Sequence, residues 1–363
     1  MGKQPSGSHG PNSEEGGVTL AEKVAFLRKP DAYPEHTRQV EAIETHLSWV
    51  FLTDRYAYKL KKPARLLHLD YSTLEARRTN SLTETRLNRR LAPDVYLGVV
   101  GLMARLDGTL YLGGLDGGAE DAVDWLVWMV RLPVDHRLDQ MIRSNAVTYA
   151  DVVRLGNVLC DFYRHAPADP ATPSDYQHRF EADVRTNLDI IMPRVGPSLA
   201  EEARRATAEQ AVFLEGHVAL LRERAAQVRI VEAHGDLRPE HIFLDGIPQV
   251  IDCLEFDRDL RLLDPVDELA FLALECERLG APWIGEEILA IYCTQCGDTL
   301  NPGLYDFYRS FRACLRARLA ALRLDSAPAE RRGDWLARIG TYLRLAAAGG
   351  VQSASRSLMD PPA

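Results

Sequence analysis

Apolar and polar positions change period near Arg131-Leu132-Pro133. Before that seam the apolar runs are short. Residues 46–50 and 56–60 read as strands around a turn at Thr53-Asp54-Arg55, an antiparallel hairpin. Ser72-Thr73-Leu74-Glu75 has the form of a capping box and predicts a helix to about Leu91, stopped by Pro93. Residues 95–103, 110–112 and 125–131 predict further strands, and the pairs Gly113-Gly114 and Gly117-Gly118 read as a hairpin loop. This half is expected to be a small sheet carrying one main helix.

After the seam the pattern is mostly that of long amphipathic helices. Thr148 with Asp151 and Ser198 with Glu201 look like helix starts, the second opening a helix to about Ala226. Asp264-Pro265 supplies an N-cap and an N1 proline for another helix, and more follow to about Ala348. Between them residues 228–257 form a β-rich island. The expected division is a tail at 1–17, a sheet-bearing unit at 18–131, a mostly helical unit at 132–350, and a flexible tail at 351–363. The class is α+β.

A net charge of -9 argues against nucleic acid as a partner, because clustered Lys and Arg drive phosphate-backbone binding. No apolar run approaches the roughly 18 residues of a membrane span. The six cysteines sit in apolar surroundings and read as reduced thiols of a cytoplasmic protein, the Cys293/Cys296 pair included.

The island carries the chemistry. His234-Gly235-Asp236-Leu237-Arg238-Pro239-Glu240-His241 lies between a short strand at 228–231 and a hairpin, 242–244 returning through Asp245-Gly246 to 249–251. Pairing about that turn sets His241 and Asp252 opposite each other at its open end. A metal or phosphate then fits between Asp236 and Asp252. The alternative is that His234 and Asp236 only brace a turn.

His-Gly-Asp followed by a hairpin and Ile-Asp resembles the catalytic loop and metal-binding aspartate of aminoglycoside phosphotransferases, which are similar to the HRD and DFG segments of protein kinases. The resemblance implies a kinase-like two-lobed fold with a nucleotide-binding lobe at 18–131 and a catalytic and substrate-binding lobe at 132–350, Asp236 as catalytic base, Asp252 as magnesium ligand, and His241 at the place of a magnesium-binding asparagine. Imidazole suits Mn²⁺, Zn²⁺ or Fe better than Mg²⁺, so Mn²⁺ is a second expected cation.

The last lysine of the chain is Lys62, and three crowd into Tyr56-Ala57-Tyr58-Lys59-Leu60-Lys61-Lys62. At a period of two, Ala57, Lys59 and Lys61 share a face. Ala57-Tyr58-Lys59 resembles the Ala-x-Lys of a kinase strand, which implies Ala57 at the adenine and Lys59 on the phosphates, with Lys61 second. Glu84 falls on the apolar stripe of the following helix with Leu87 and Leu91, where a charge wants a partner, and Lys59 is the expected one. Ser48 offers a hydroxyl to the phosphates. The plainer reading is a solvated edge strand protected by lysines.

The segment Thr45-His46-Leu47-Ser48-Trp49-Val50-Phe51, with Tyr58 to Pro63 and Glu84 to Leu91, also resembles a group of bacterial phosphotransferase-like proteins, some fused to a nucleotide-kinase-like domain without counterpart here. The family implies ATP and Mg²⁺ as cofactors, a small hydroxylated molecule as acceptor, and no membrane partner. Trp125, Trp128 and Met129 are expected to pack at the seam, Asp267 to brace the catalytic loop, and Glu255 and Asp257 to lie near substrate or cation. Two other functions fit the residues: a nucleotide-binding regulatory pseudokinase, and a metal-dependent hydrolase using His234, Asp236, His241 and Asp252.

Overall fold

The computed structural model describes residues 17–66, 69–115, 121–168, 173–227 and 229–351. The expected tails at 1–17 and 351–363 fall almost wholly outside the described residues, as does Gly117-Gly118. The chain divides into two units, Met1–Leu132 and Pro133–Ala363.

The first unit runs α1 (Leu20–Leu27), β1 (Glu41–Glu44), β2 (Ser48–Leu52), β3 (Tyr56–Lys61), the short pair β4 (Arg65–Leu66) and β5 (Leu69–Asp70), α2 (Leu74–Asn88), β6 (Tyr96–Ala104), β7 (Leu110–Leu115) and β8 (Ala122–Val130). Its sheet has the order β1-β2-β3-β8-β6-β7, every neighbour antiparallel. Thr53 closes the β2–β3 turn, its hydroxyl donating to Tyr56 O and accepting from Tyr56 N. One face of the sheet buries Phe51, Tyr58, Leu60, Leu102 and Leu126 with Val24 and Leu27 of α1. Helix α2 packs on β8 and β6.

Two local features differ from the sequence expectation. The α2 cap is Thr73, whose hydroxyl accepts from Ala76 N, because Ser72 is already bound to Asp70 Oδ1 in the preceding turn. Gly113-Gly114 lies within β7, where a side chain at 113 would come within 3.0 Å of Met103 Cγ; the β6–β7 loop turns earlier, at Gly108.

The second unit contains α3 (Leu138–Arg143), α4 (Tyr149–His165), α5 (Pro173–Ile191), α6 (Pro197–Gly216), α7 (Val218–Ala226), β9 (Val231–Glu232), β10 (Ile242–Phe243), β11 (Gln249–Val250), β12 (Leu262–Leu263), α8 (Pro265–Arg278), α9 (Pro282–Cys296), α10 (Pro302–Arg323) and α11 (Arg332–Val351). The Thr148/Asp151 capping box and the Asp264-Pro265 start both form. Helix α6 instead begins at Pro197, one residue before Ser198, without a side-chain cap, since proline needs no partner for the missing N–H. It breaks at Gly216-His217 rather than running to 226, where glycine weakens the helix. The strand before the motif is Val231–Glu232, paired with β12, while Val228 is outside the described residues.

Helix α8 is buried along nearly its whole length. It lies against α9 at Gly285, where a Cβ would come 2.3 Å from Ala273 Cβ, so only glycine permits that approach. Helices α6, α8, α10 and α11 close a core around Phe271, Leu274, Ala317, Ile339 and Tyr342. Buried α8 is thus a rigid platform beneath the 234–241 loop.

Candidate functional site

In the first unit the lysine face meets α2. Lys59 Nζ lies 2.9 Å from Glu84 Oε1 and Lys61 Nζ 2.6 Å from Glu84 Oε2. Lys61 is fully buried and also reaches Tyr71 Oη at 3.3 Å; Lys59 keeps 16% of its side chain exposed. One buried carboxylate therefore holds two ammonium groups, and of the two only Lys59 keeps a solvent-facing edge. The register sets Val50 opposite Lys59 and Ser48 opposite Lys61, which puts Ser48 on the same face, buried. Ala57 pairs with Met129 of β8 and is also buried. Trp125 and Trp128 pack, the latter against Tyr56 and Tyr58.

In the second unit the loop 234–241 is fixed from several directions. Gly235 has φ +91°, and a Cβ there would sit 3.1 Å from Leu254 Cδ1, so glycine is required. Its N–H donates to Glu268 Oε1 at 2.5 Å and that of His234 to Glu268 Oε2 at 3.2 Å, with Tyr163 Oη donating to the same carboxylate. The residue bracing the loop is thus Glu268 rather than Asp267, which forms a two-pronged pair with Arg312. Both acids sit in the first turn of α8, one position apart, and the helix phase decides which faces the loop.

His234 is a structural pin. Its Nε2 donates to Ile251 O at 2.9 Å and its Nδ1 accepts from Asp236 N at 3.3 Å. Burial holds it neutral, pushing its pKa down to about 3. Both ring nitrogens being committed, His234 has no lone pair for a metal. Among the described residues no three His, Cys, Asp or Glu side chains gather as metal ligands, so the four-residue hydrolase centre does not form.

Asp236 is met by Arg238, whose Nε and Nη2 each donate to one carboxylate oxygen at 2.9 Å. Burial works against the Asp236 charge, but Arg238, with His241 and Arg316, outweighs it and holds the carboxyl below its ordinary value. Arg238 is a site residue that the motif reading passed over, although it stands two positions from Asp236. Behind it Glu240 pairs with Arg278 at 3.2 Å, Arg278 with Glu275 at 2.6 Å and Glu275 with Arg316 at 2.8 Å, an alternating network that returns to Asp236.

His241 lies between the two loop acids, with Nδ1 3.7 Å from Asp236 Oδ2 and Nε2 3.5 Å from Asp252 Oδ2. The β10–β11 hairpin sets this up: Ile242 pairs with Val250, and Ile251 N donates to His241 O at 2.9 Å. Asp252 follows with φ +62°, a left-handed conformation unusual for a residue other than glycine, and a half-exposed carboxylate. Such strain concentrates at functional positions. Asp257 Oδ1 caps the turn at Asp259 N, and Arg261 ties Leu254 O and Asp257 O to Glu232.

No protein-family model matches the chain. An uncharacterized protein of Mycobacterium tuberculosis is 31% identical over 314 residues, which cover 84% of this chain and 59% of the relative; the chain thus spans little more than half of that protein's length. Among solved structures, choline kinase from Cryptosporidium parvum superposes with a TM-score of 0.53 at 8% identity over 90% of this chain and 95% of that one. A thermostable mutant of an aminoglycoside phosphotransferase gives 0.50 at 10% identity over 88% and 97%. The chain has the protein-kinase-like α+β fold of the aminoglycoside phosphotransferase type.

Proposed function

We propose that this protein is an ATP-dependent phosphotransferase that moves the γ-phosphoryl group to a hydroxyl of a small molecule. The observation that carries the proposal is the pair of loop acids on either side of His241: an Asp236 kept ionised by Arg238, and an Asp252 held out of ordinary backbone geometry. The names of the structural neighbours, a choline kinase and an aminoglycoside phosphotransferase, support small-molecule phosphoryl transfer as the class.

In this proposal Asp236 orients the acceptor hydroxyl and takes its proton as the oxygen attacks the γ-phosphorus and the bond to the departing ADP breaks. Arg238 neutralises charge beside it. Lys59, oriented by Glu84, binds nucleotide phosphate, with Ser48 and Ala57 on the same sheet face. The fold implies Mg²⁺, and the donor set suits a divalent cation, because Asp252 supplies a half-exposed carboxylate oxygen beside the imidazole of His241. Such a cation neutralises developing phosphate charge when bound.

One observation favours a second reading, a nucleotide-binding regulatory protein: Arg238 engages both oxygens of the proposed base. A transfer assay separates the two. With γ-labelled ATP, Mg²⁺ or Mn²⁺, and a panel of sugars, amino alcohols and aminoglycosides, an enzyme labels one acceptor class; tight ATP binding with no labelled acceptor selects the regulatory reading.

A further inference from the structure

We infer that Arg316 and Arg338 bind an oxyanion carried by the acceptor, a carboxylate or a phosphate, so that the molecule receiving the phosphoryl group is a hydroxylated acid. This deepens the phosphotransferase reading by naming its substrate class, and rests on that reading for the use of the site.

The ion-pair network behind Asp236 is rich in guanidinium groups. Arg238 approaches Glu240 at 3.9 Å, Arg278 holds Glu240 at 3.2 Å and Glu275 at 2.6 Å, and Arg316 holds Glu275 at 2.8 Å. Helix α11 adds the partly buried Arg338, whose guanidinium carbon lies 6.0 Å from the ring centre of the buried Tyr342. Arg316 and Arg278 stand 5.6 and 5.9 Å from the same ring. Arg338 has no carboxylate within ion-pair distance among the described residues; its other neighbour is the Trp335 ring. The cluster thus sets four guanidinium groups against three carboxylates, Asp236, Glu240 and Glu275. Like charges gathered in a largely desolvated place repel unless an anion lies among them.

The groups left open are the cationic ones. Arg316 spends only its Nε, on Glu275 Oε1 and Tyr342 Oη. Its Nη1 and Nη2 bond to no described residue, and with 13% of the side chain exposed both reach solvent. On the acidic side both oxygens of Asp236 and of Glu275 are bonded, and Glu240 Oε2, which is not, is shut away from solvent. A cationic ligand finds no open acid in this cluster, whereas an oxyanion finds a planar fork of donors. The charge of Arg316 also reaches Asp236 and helps to keep it ionised, so the fork stands close to the acid that orients the acceptor hydroxyl.

The test uses the full chain and probes matched in skeleton but not in charge: gluconate and glucose 6-phosphate against glucose and glucosamine. Calorimetry measures each probe with and without a non-hydrolysable ATP analogue, and the four join the panel of the transfer assay. The inference predicts that an acidic probe binds at least about tenfold more tightly than glucose and glucosamine, and that Arg316→Gln removes this preference while affinity for the analogue holds. The gluconate arm reads a carboxylate and the glucose 6-phosphate arm a phosphate. Arg338→Gln, at a partly buried position, should cut the same preference about threefold, and it carries the test should Arg316→Gln not fold. Acidic probes bound no more tightly than glucose, a preference unchanged in both variants, or label passing to glucose or glucosamine and to neither acid overturns the inference. So does a loss of analogue affinity in Arg316→Gln with acid binding unchanged, which assigns the fork to the nucleotide and leaves the phosphotransferase reading standing. Failure of the wild-type chain to bind the analogue overturns that reading instead.

Discussion

Glu268 accepts the backbone N–H groups of Gly235 and His234, so a buried acid on α8 sets the position of the His-Gly-Asp loop. Burial raises its pKa, against the three donors that favour the charge. Glu268→Gln keeps the shape but presents one oxygen where two are needed. The expected cost is about 1–3 kcal/mol of stability, from a backbone donor left unpaired. Because the residue acts through the loop, kcat should fall while KM for ATP stays near its wild-type value, and steady-state kinetics beside urea unfolding checks both.

The two lysines on Glu84 should separate by function. Lys61 is fully buried, so Lys61→Met is expected to act on stability, by about 1–3 kcal/mol, since Glu84 retains Lys59. Lys59 keeps a solvent-facing edge, so Lys59→Met should weaken nucleotide binding with a smaller loss of stability. Calorimetric ATP titration and thermal unfolding of both variants test this, and equal effects on affinity would contradict it.

Much of this could be read from the sequence because the deciding signals are local. The β2–β3 hairpin, α2 and the hairpin after His241 follow from alternation, stop residues and a turn dipeptide, all within a few positions. Most of what the pattern does not reveal depends on phase or on distant partners. Thr19 and Glu22 form a capping box that starts α1, a legible signal left unused, whereas β1 is an exposed acidic edge strand with no apolar alternation. The choice between Asp267 and Glu268 needed the rotation of α8, set by burial along the whole helix. Arg238 gave no signal apart from its place in the motif, because its partners are the motif itself.

His234 makes folding sensitive to acid. Its pKa is lowered to about 3 in the folded chain from an ordinary value near 6.5, so below pH 6.5 the unfolded chain binds a proton that the folded chain refuses. Stability from this group is therefore full above pH 6.5 and falls as pH drops towards 3, at up to about 1.4 kcal/mol per pH unit. Urea midpoints between pH 4 and 7 should show a shallower acid limb in His234→Asn than in wild type.

Arg224 joins Asp264, at 2.7 Å from both carboxylate oxygens, to Asp298 at 2.6 Å, and all three are buried. Arg224→Met removes the cation and leaves two buried acids facing each other. A loss of about 3–5 kcal/mol is expected, measured by chemical unfolding. Asp264 also caps α8, so the variant should loosen the platform under the 234–241 loop and, on the proposed function, lower turnover as well.

In the proposed phosphoryl transfer from ATP, Asp236 takes the proton from the acceptor hydroxyl. The most direct test of that step is the single-turnover transfer rate of Asp236→Asn beside its affinity for ATP. The rate should fall about 10² to 10⁴ below wild type with nucleotide affinity nearly unchanged. Transfer at the wild-type rate in that variant would contradict it.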